Sequence, residues 1–199
     1  MEIKKKRIKE KKSEQMRKIS NLMIFTLASS IISFASGLLG PFYVVYLQKI
    51  GGSIENVGAA FGLMIVTQSV VSLFVGKYSD ALGRKPFLIF STYLTSVIVF
   101  AYTLISTLVE LYLLQILLGI VDATHATVST AFLGDITKRS KRGLQVGKYN
   151  AIVGIFAGFS MMLSGMLIPE FGFQIIFYAV SLFYLFAASL LFLIKEKRK

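Results

Sequence analysis

The chain has 199 residues, of which 55% are hydrophobic and 16% charged, and a formal net charge of +12. So apolar a composition excludes a water-soluble fold, because too little polar surface remains to cover it. The absence of cysteine excludes disulfides and thiolate metal sites.

In chain order, residues 1–19 form a tail carrying nine Lys and Arg, read as a solvated cytoplasmic segment whose lysines meet anionic lipid headgroups. Six apolar runs follow, near 20–47, 57–78, 86–106, 111–133, 149–168 and 173–194. Each is about as long as the roughly 20 residues that carry a helix across a hydrocarbon core of about 30 Å. The first run is about twice the length of a signal-peptide core and no soluble sequence follows it, so it reads as a membrane helix and not as a cleaved leader. The connecting loops are short, which makes 20–194 one all-α transmembrane domain of six helices, closed by a basic cytoplasmic end at 195–199.

The placement of charge orients this domain. With the tail inside, Lys77, Arg84 and Lys85 follow helix 2 on the same side, Lys138, Arg139, Lys141, Arg142 and Lys148 follow helix 4, and four further basic residues end the chain. Lys49 is the one basic residue left outside, where Glu55, Glu110 and Glu170 also lie. This is the positive-inside pattern, with both termini in the cytoplasm and the chain in the plasma (inner) membrane. It accounts for the net charge without a nucleic-acid partner. No phosphate-binding loop, HExxH or GxSxG motif is present, so the chain is not read as an enzyme and no cofactor or metal is expected.

Between helices 2 and 3 stands a G-x-x-x-D-x-x-G-R-K pattern formed by Gly76, Asp80, Gly83, Arg84 and Lys85, with Pro86 behind it. Gly76 allows close helix packing, Gly83 a positive backbone dihedral and Pro86 the opening of a helix. Arg84 and Lys85 hold the turn at the cytoplasmic surface. With this motif the sequence resembles the N-terminal half of the major facilitator superfamily, whose motif A occupies this loop. Gly40-Pro41, the stretch 47–51 leading to Gly58, and Gly134-Asp135 with Arg142, Gly143 and Gly147 support the resemblance along the chain. Helix 4 has Gln115 where many members have arginine in R-x-x-x-G, and helix 5 keeps Gly154 and Gly158 of a drug/proton antiporter motif without its proline. The resemblance implies one half of a major facilitator fold, a 3+3 inverted repeat, where the family continues into six more helices.

Polar groups inside a membrane generally face a cavity or another helix. In helix 4, Asp122 falls about eleven residues from the outer end, roughly 16 Å along the axis and near the bilayer midplane. Gln115, Asp122 and Ser129 are spaced by seven and share a stripe, and His125 lies within pairing reach of Asp122. Asp122, with His125, is the expected proton-coupling site, with an interhelical hydrogen bond as the structural alternative. Ser33 of helix 1, Gln68 of helix 2 and Asn150 of helix 5 are further candidates for the cavity. Gly147, Gly154, Gly158 and Gly165 form a groove on helix 5 suited to close approach by another helix.

The expected function is secondary active transport of a small organic solute, such as a drug or metabolite for efflux, coupled to protons or sodium. Alternating access would proceed in a homodimer, with motif A as the conformational switch. Two alternatives stay open: a truncated or split half that needs a separate six-helix partner, and a non-transporting membrane subunit.

Overall fold

The computed structural model describes residues 2–195, with side chains at residue 14 and from residue 16 onward. Met1, the side chains of residues 2–13 and 15, and the basic end beyond Lys195 lie outside the described residues. The elements are α1 (Glu2–Leu39), α2 (Phe42–Gly51), α3 (Ile54–Leu82), α4 (Lys85–Ala101), α5 (Leu108–Ile136) and α6 (Arg142–Leu191), with a 3-10 turn at Arg139–Lys141. Four stretches, Met16–Leu39, Ile54–Leu82, Leu108–Ile136 and Arg139–Leu191, are long and apolar enough to cross a membrane. The apolar α4 is shorter, at 17 residues.

The run expected as one helix over 20–47 is interrupted. At Gly40 φ turns to +34°, and Pro41 has no N–H to continue the ladder, so α1 ends and the short α2 begins. The opposite correction applies at the end of the chain, where the fifth and sixth runs form one 50-residue element with a break inside it. Gly172 has φ +76°, which a residue with a Cβ adopts only with strain, and there the chain reverses. Residues 142–171 run parallel to α1, pairing Tyr149 with Phe25 and Ser164 with Leu38. Residues 173–191 run back along it, pairing Phe183 with Phe34 and Lys195 with Asn21.

The helix ends follow local chemistry. Ser53 caps α3 by accepting from the Asn56 N–H at 3.3 Å, and Thr107 and Glu110 form a reciprocal capping box on α5. Gly83, at φ +93°, ends α3, and Pro86 stands at the start of α4, as the motif predicts.

The packing has approximate two-fold character. The first arm of α6 lies against α1, α3 lies against α5, and the second arm of α6 lies against α4. A Cβ on Gly37 of α1 would stand 2.7 Å from the Ala157 carbonyl, and one on Gly119 of α5 would stand 2.5 Å from the Met64 carbonyl. Each marks a near-contact of backbones, and the two correspond when the first three helical runs are exchanged with the last three. Between α4 and the second arm, Ser96 donates to the Ser181 carbonyl at 2.8 Å and Ser181 donates to the Ser96 carbonyl at 2.9 Å. A reciprocal pair of this kind sits where an inverted repeat places its axis. One apolar core around Leu47, Tyr102 and Phe177 fills the α2 end of the bundle, and a second around Phe25, Leu88 and Phe132 fills the end nearer the tail.

Candidate functional site: an acidic, aromatic cavity between the helices

The interruption of α1 positions a cavity of about 220 Å³. Its walls are Ser36, Leu39 and Gly40 at the end of α1, Tyr43 of α2, Phe61 and Met64 of α3, Thr95 and Val99 of α4 with Tyr102 just beyond, Leu118 and Asp122 of α5, and Tyr184 of α6. Asp122 is half-buried and makes no ion pair or hydrogen bond among the described residues. Among the described residues, no Lys, Arg or His lines the space.

Three tyrosines surround the carboxylate. The Tyr43 and Tyr102 rings meet edge to face at 5.5 Å, and their hydroxyls lie buried beside one another without reaching a further partner. Tyr184 points its hydroxyl toward Ser36. The α2 end is sealed by an aromatic cluster in which Phe177 stacks on Tyr102 at 5.7 Å and meets Tyr46 at 4.6 Å. The Tyr46 hydroxyl donates to the Tyr102 carbonyl, tying α2 across to the end of α4.

Of the residues expected at a cavity, Asp122 is the one that lines it. Asp122 and His125 do not form the expected pair: His125 turns to α4, with Nδ1 3.4 Å from the Thr92 hydroxyl. Although the two are three residues apart on one helix, Asp122 lines the cavity and His125 does not. Gln115 is fully buried between the helices and neither end of its amide finds a partner. Ser129 donates to the Ala126 carbonyl of its own helix. Ser33 is half-buried and leaves the cavity edge to Ser36, Gln68 packs its backbone against Gly119, and Asn150 is exposed on α6. The tyrosines and Phe61 were missed, because aromatic residues of a membrane helix more commonly face lipid or the interface. The available signal was the position of Tyr43, two residues beyond the break at Gly40-Pro41.

The motif A turn forms a charged cluster at one end of the bundle. Arg84 bridges two carboxylates, Asp80 at 3.0 Å on its own turn and Asp135 at 2.6 Å at the end of α5. Gly76 faces Thr127 of α5 at ordinary contact distance. Lys85 donates to the Phe192 and Ile194 carbonyls at 2.7 and 2.8 Å, so it caps the end of α6. Arg142 reaches back to the Gly134 carbonyl at 2.9 Å. In the helix 5 groove, Gly147, Gly154 and Gly158 face open space and Gly165 packs beside Phe42.

The sequence is similar to the uncharacterized MFS-type transporter YitZ of Bacillus subtilis, with 29% identity over 151 residues that cover 76% of this chain and 92% of that protein. It is 28% identical over 154 residues to the multidrug resistance protein MdtG of Proteus mirabilis, covering 74% of this chain and 38% of MdtG. It is 26% identical over 150 residues to the class H tetracycline resistance protein of Pasteurella multocida, covering 74% of this chain and 37% of that protein. Against relatives of that longer kind the chain spans well under half the length. The family profile described as Major Facilitator Superfamily matches residues 25–199, from the buried part of α1 through every helix that builds the cavity, and the chain belongs to that superfamily.

Proposed function

We propose that this chain is a six-span half of a secondary transporter that moves a small organic solute across the plasma membrane by alternating access. The observation that carries the proposal is Asp122, a carboxylate without an ionic partner among the described residues, facing a cavity lined from all six helices. An ionisable group placed inside a membrane generally marks a substrate or ion path. Asp122 is the coupling group, protonated in one phase of the cycle and released in the other, with the proton as driving ion. Residues 20–194 are the membrane domain, and residues 1–19 and 195–199 are cytoplasmic, as the distribution of basic residues indicates. Transport runs outward, in keeping with the names of the multidrug and tetracycline resistance relatives.

The working unit is a homodimer in which a second copy supplies the other half. Gly58 and Gly62 on α3, and Gly147, Gly154 and Gly158 on α6, leave open grooves suited to close approach by another helix. Across that interface, Asp80 meets the N-terminal end of α6 of the other copy, where the helix dipole favours an acid. Exchange between that contact and the Arg84 cluster biases inward against outward opening. A second reading, assembly with a separate six-helix protein, is favoured by the chain's 37–38% coverage of the longer relatives.

The test is reconstitution. In lipid nanodiscs the mass corrected for lipid is expected to be that of two chains. In proteoliposomes Asp122→Asn is expected to abolish proton-coupled flux while the protein stays folded and dimeric. Undiminished coupling in Asp122→Asn would overturn the role of Asp122, and a monomer that transports only with a six-helix partner would replace the homodimer.

A further inference from the structure

The cavity itself indicates what kind of solute it accepts. Among the described residues its one charged side chain is Asp122, and no cation lines the space to neutralise it. A half-buried carboxylate left without a counter-charge is costly, so it is relieved either by taking a proton or by receiving a positive group. The break in α1 adds to this polarity. The helix ends at Leu39, the edge of the cavity is formed by Ser36, Leu39 and Gly40, and a helix C-terminus carries partial negative charge. Pro41 cannot supply the N–H that the Gly37 carbonyl would otherwise receive.

The remaining walls suit an organic cation better than a metal ion. Tyr43, Tyr102, Tyr184 and Phe61 line the same space as the carboxylate, with Met64, Leu39, Val99 and Leu118 as the apolar remainder of the wall. Aromatic faces attract cations and do so more strongly when water is excluded. A hard metal ion needs six or more oxygen ligands or a retained water shell, which one carboxylate among apolar side chains does not provide. Tyr102 is 1% exposed, and its hydroxyl, beside that of Tyr43, reaches no other partner, so both keep an acceptor for a donor brought by a ligand.

We propose that the cavity is a binding site for an organic monocation, a protonated amine or quaternary ammonium group, held by Asp122 and enclosed by Tyr43, Tyr102, Tyr184 and Phe61. The proposal rests on the transporter reading for its purpose, but the site can be tested by binding alone. The full chain in phosphatidylcholine nanodiscs is titrated with radiolabelled phenyltrimethylammonium in equilibrium dialysis. tert-Butylbenzene, the uncharged isostere, is added as a competitor.

Saturable binding is expected, displaced by unlabelled cation and not by tert-butylbenzene. Asp122→Asn should weaken it about tenfold or more, Asp122→Glu should recover most of it, and Tyr102→Leu should weaken it about fivefold. Glu170→Gln, which removes an exposed carboxylate from the turn near Gly172, should leave it unchanged. Absence of saturable binding, equal binding by Asp122→Asn, or displacement by the neutral isostere would overturn the proposal. Flux of an uncharged solute or an anion without cation binding would reject the cation site and keep the transporter. The expected binding profile in a protein that drives no flux would keep the site and reject the transporter.

Discussion

Substitution of Gly119 by alanine tests the packing that holds the cavity walls in place. A Cβ there would stand 2.5 Å from the Met64 carbonyl oxygen and 3.0 Å from the Thr67 Cβ, whereas ordinary contact begins at 3.4 Å. Because the Met64 oxygen belongs to the backbone, no rotamer relieves the clash, and α3 and α5 must separate locally by about 0.9 Å. Overpacking of this kind costs about 1–3 kcal/mol, from which the better helix propensity of alanine recovers at most ~1 kcal/mol. A net loss of up to about 2 kcal/mol is expected, a change of up to roughly thirtyfold in the folding equilibrium. Reversible unfolding in mixed micelles, followed by circular dichroism, measures it. Gly134→Ala and Gly143→Ala are the controls, since no described atom lies within 4 Å of a Cβ at either. Gly37→Ala should behave like Gly119→Ala, its Cβ falling 2.7 Å from the Ala157 carbonyl. Equal stability of all four variants, within about 0.5 kcal/mol, would refute the reasoning.

Lys85→Met should leave the Phe192 and Ile194 carbonyls without their shared donor, loosening the end of α6 by about 1 kcal/mol, which hydrogen exchange over residues 188–195 would register as earlier opening. In the reciprocal serine pair, Ser96→Ala and Ser181→Ala should each cost about 1 kcal/mol, and the double variant should cost less than the sum, because the two hydroxyls stand 3.1 Å apart in one shared site and each loss lets the other regroup. Arg84→Gln should change stability by less than about 1 kcal/mol, since Asp80 and Asp135 are largely exposed, and should reduce transport sharply if the cluster is the switch. Gly154→Leu and Gly158→Leu, with nothing within 4 Å of their added Cβ, should leave the folded chain intact and reduce its association with a second half in nanodiscs.

Much of the helical layout was legible because a membrane reduces the question to the length of apolar runs. Three runs matched separate helices to within several residues at each end, the last two share α6 on either side of its break at Gly172, and the motif A turn has the conformation its glycine and proline imply. Asp122 was legible for the same reason, since a carboxylate in an apolar run has few places to go. The break at Gly40 was less so: Gly-Pro is compatible with a bend or with a full stop, and contact of α2 with α3, α5 and α6 accompanies the second.

By itself the sequence determined the membrane class, the family and the acidic position in helix 4, because hydropathy, charge placement and a spaced motif act through local chemistry. Tertiary structure decided which side chains share the cavity. His125 and Asp122 sit one turn apart, yet His125 meets Thr92 of α4 while Asp122 lines the cavity, and Tyr43, Tyr102 and Tyr184 converge on that cavity from segments far apart in the chain. Convergence of that kind depends on how α1, α4 and α6 are brought together, by backbone near-contact at Gly37 and Gly119 and by the paired serines at 96 and 181, and no periodicity within one helix encodes it.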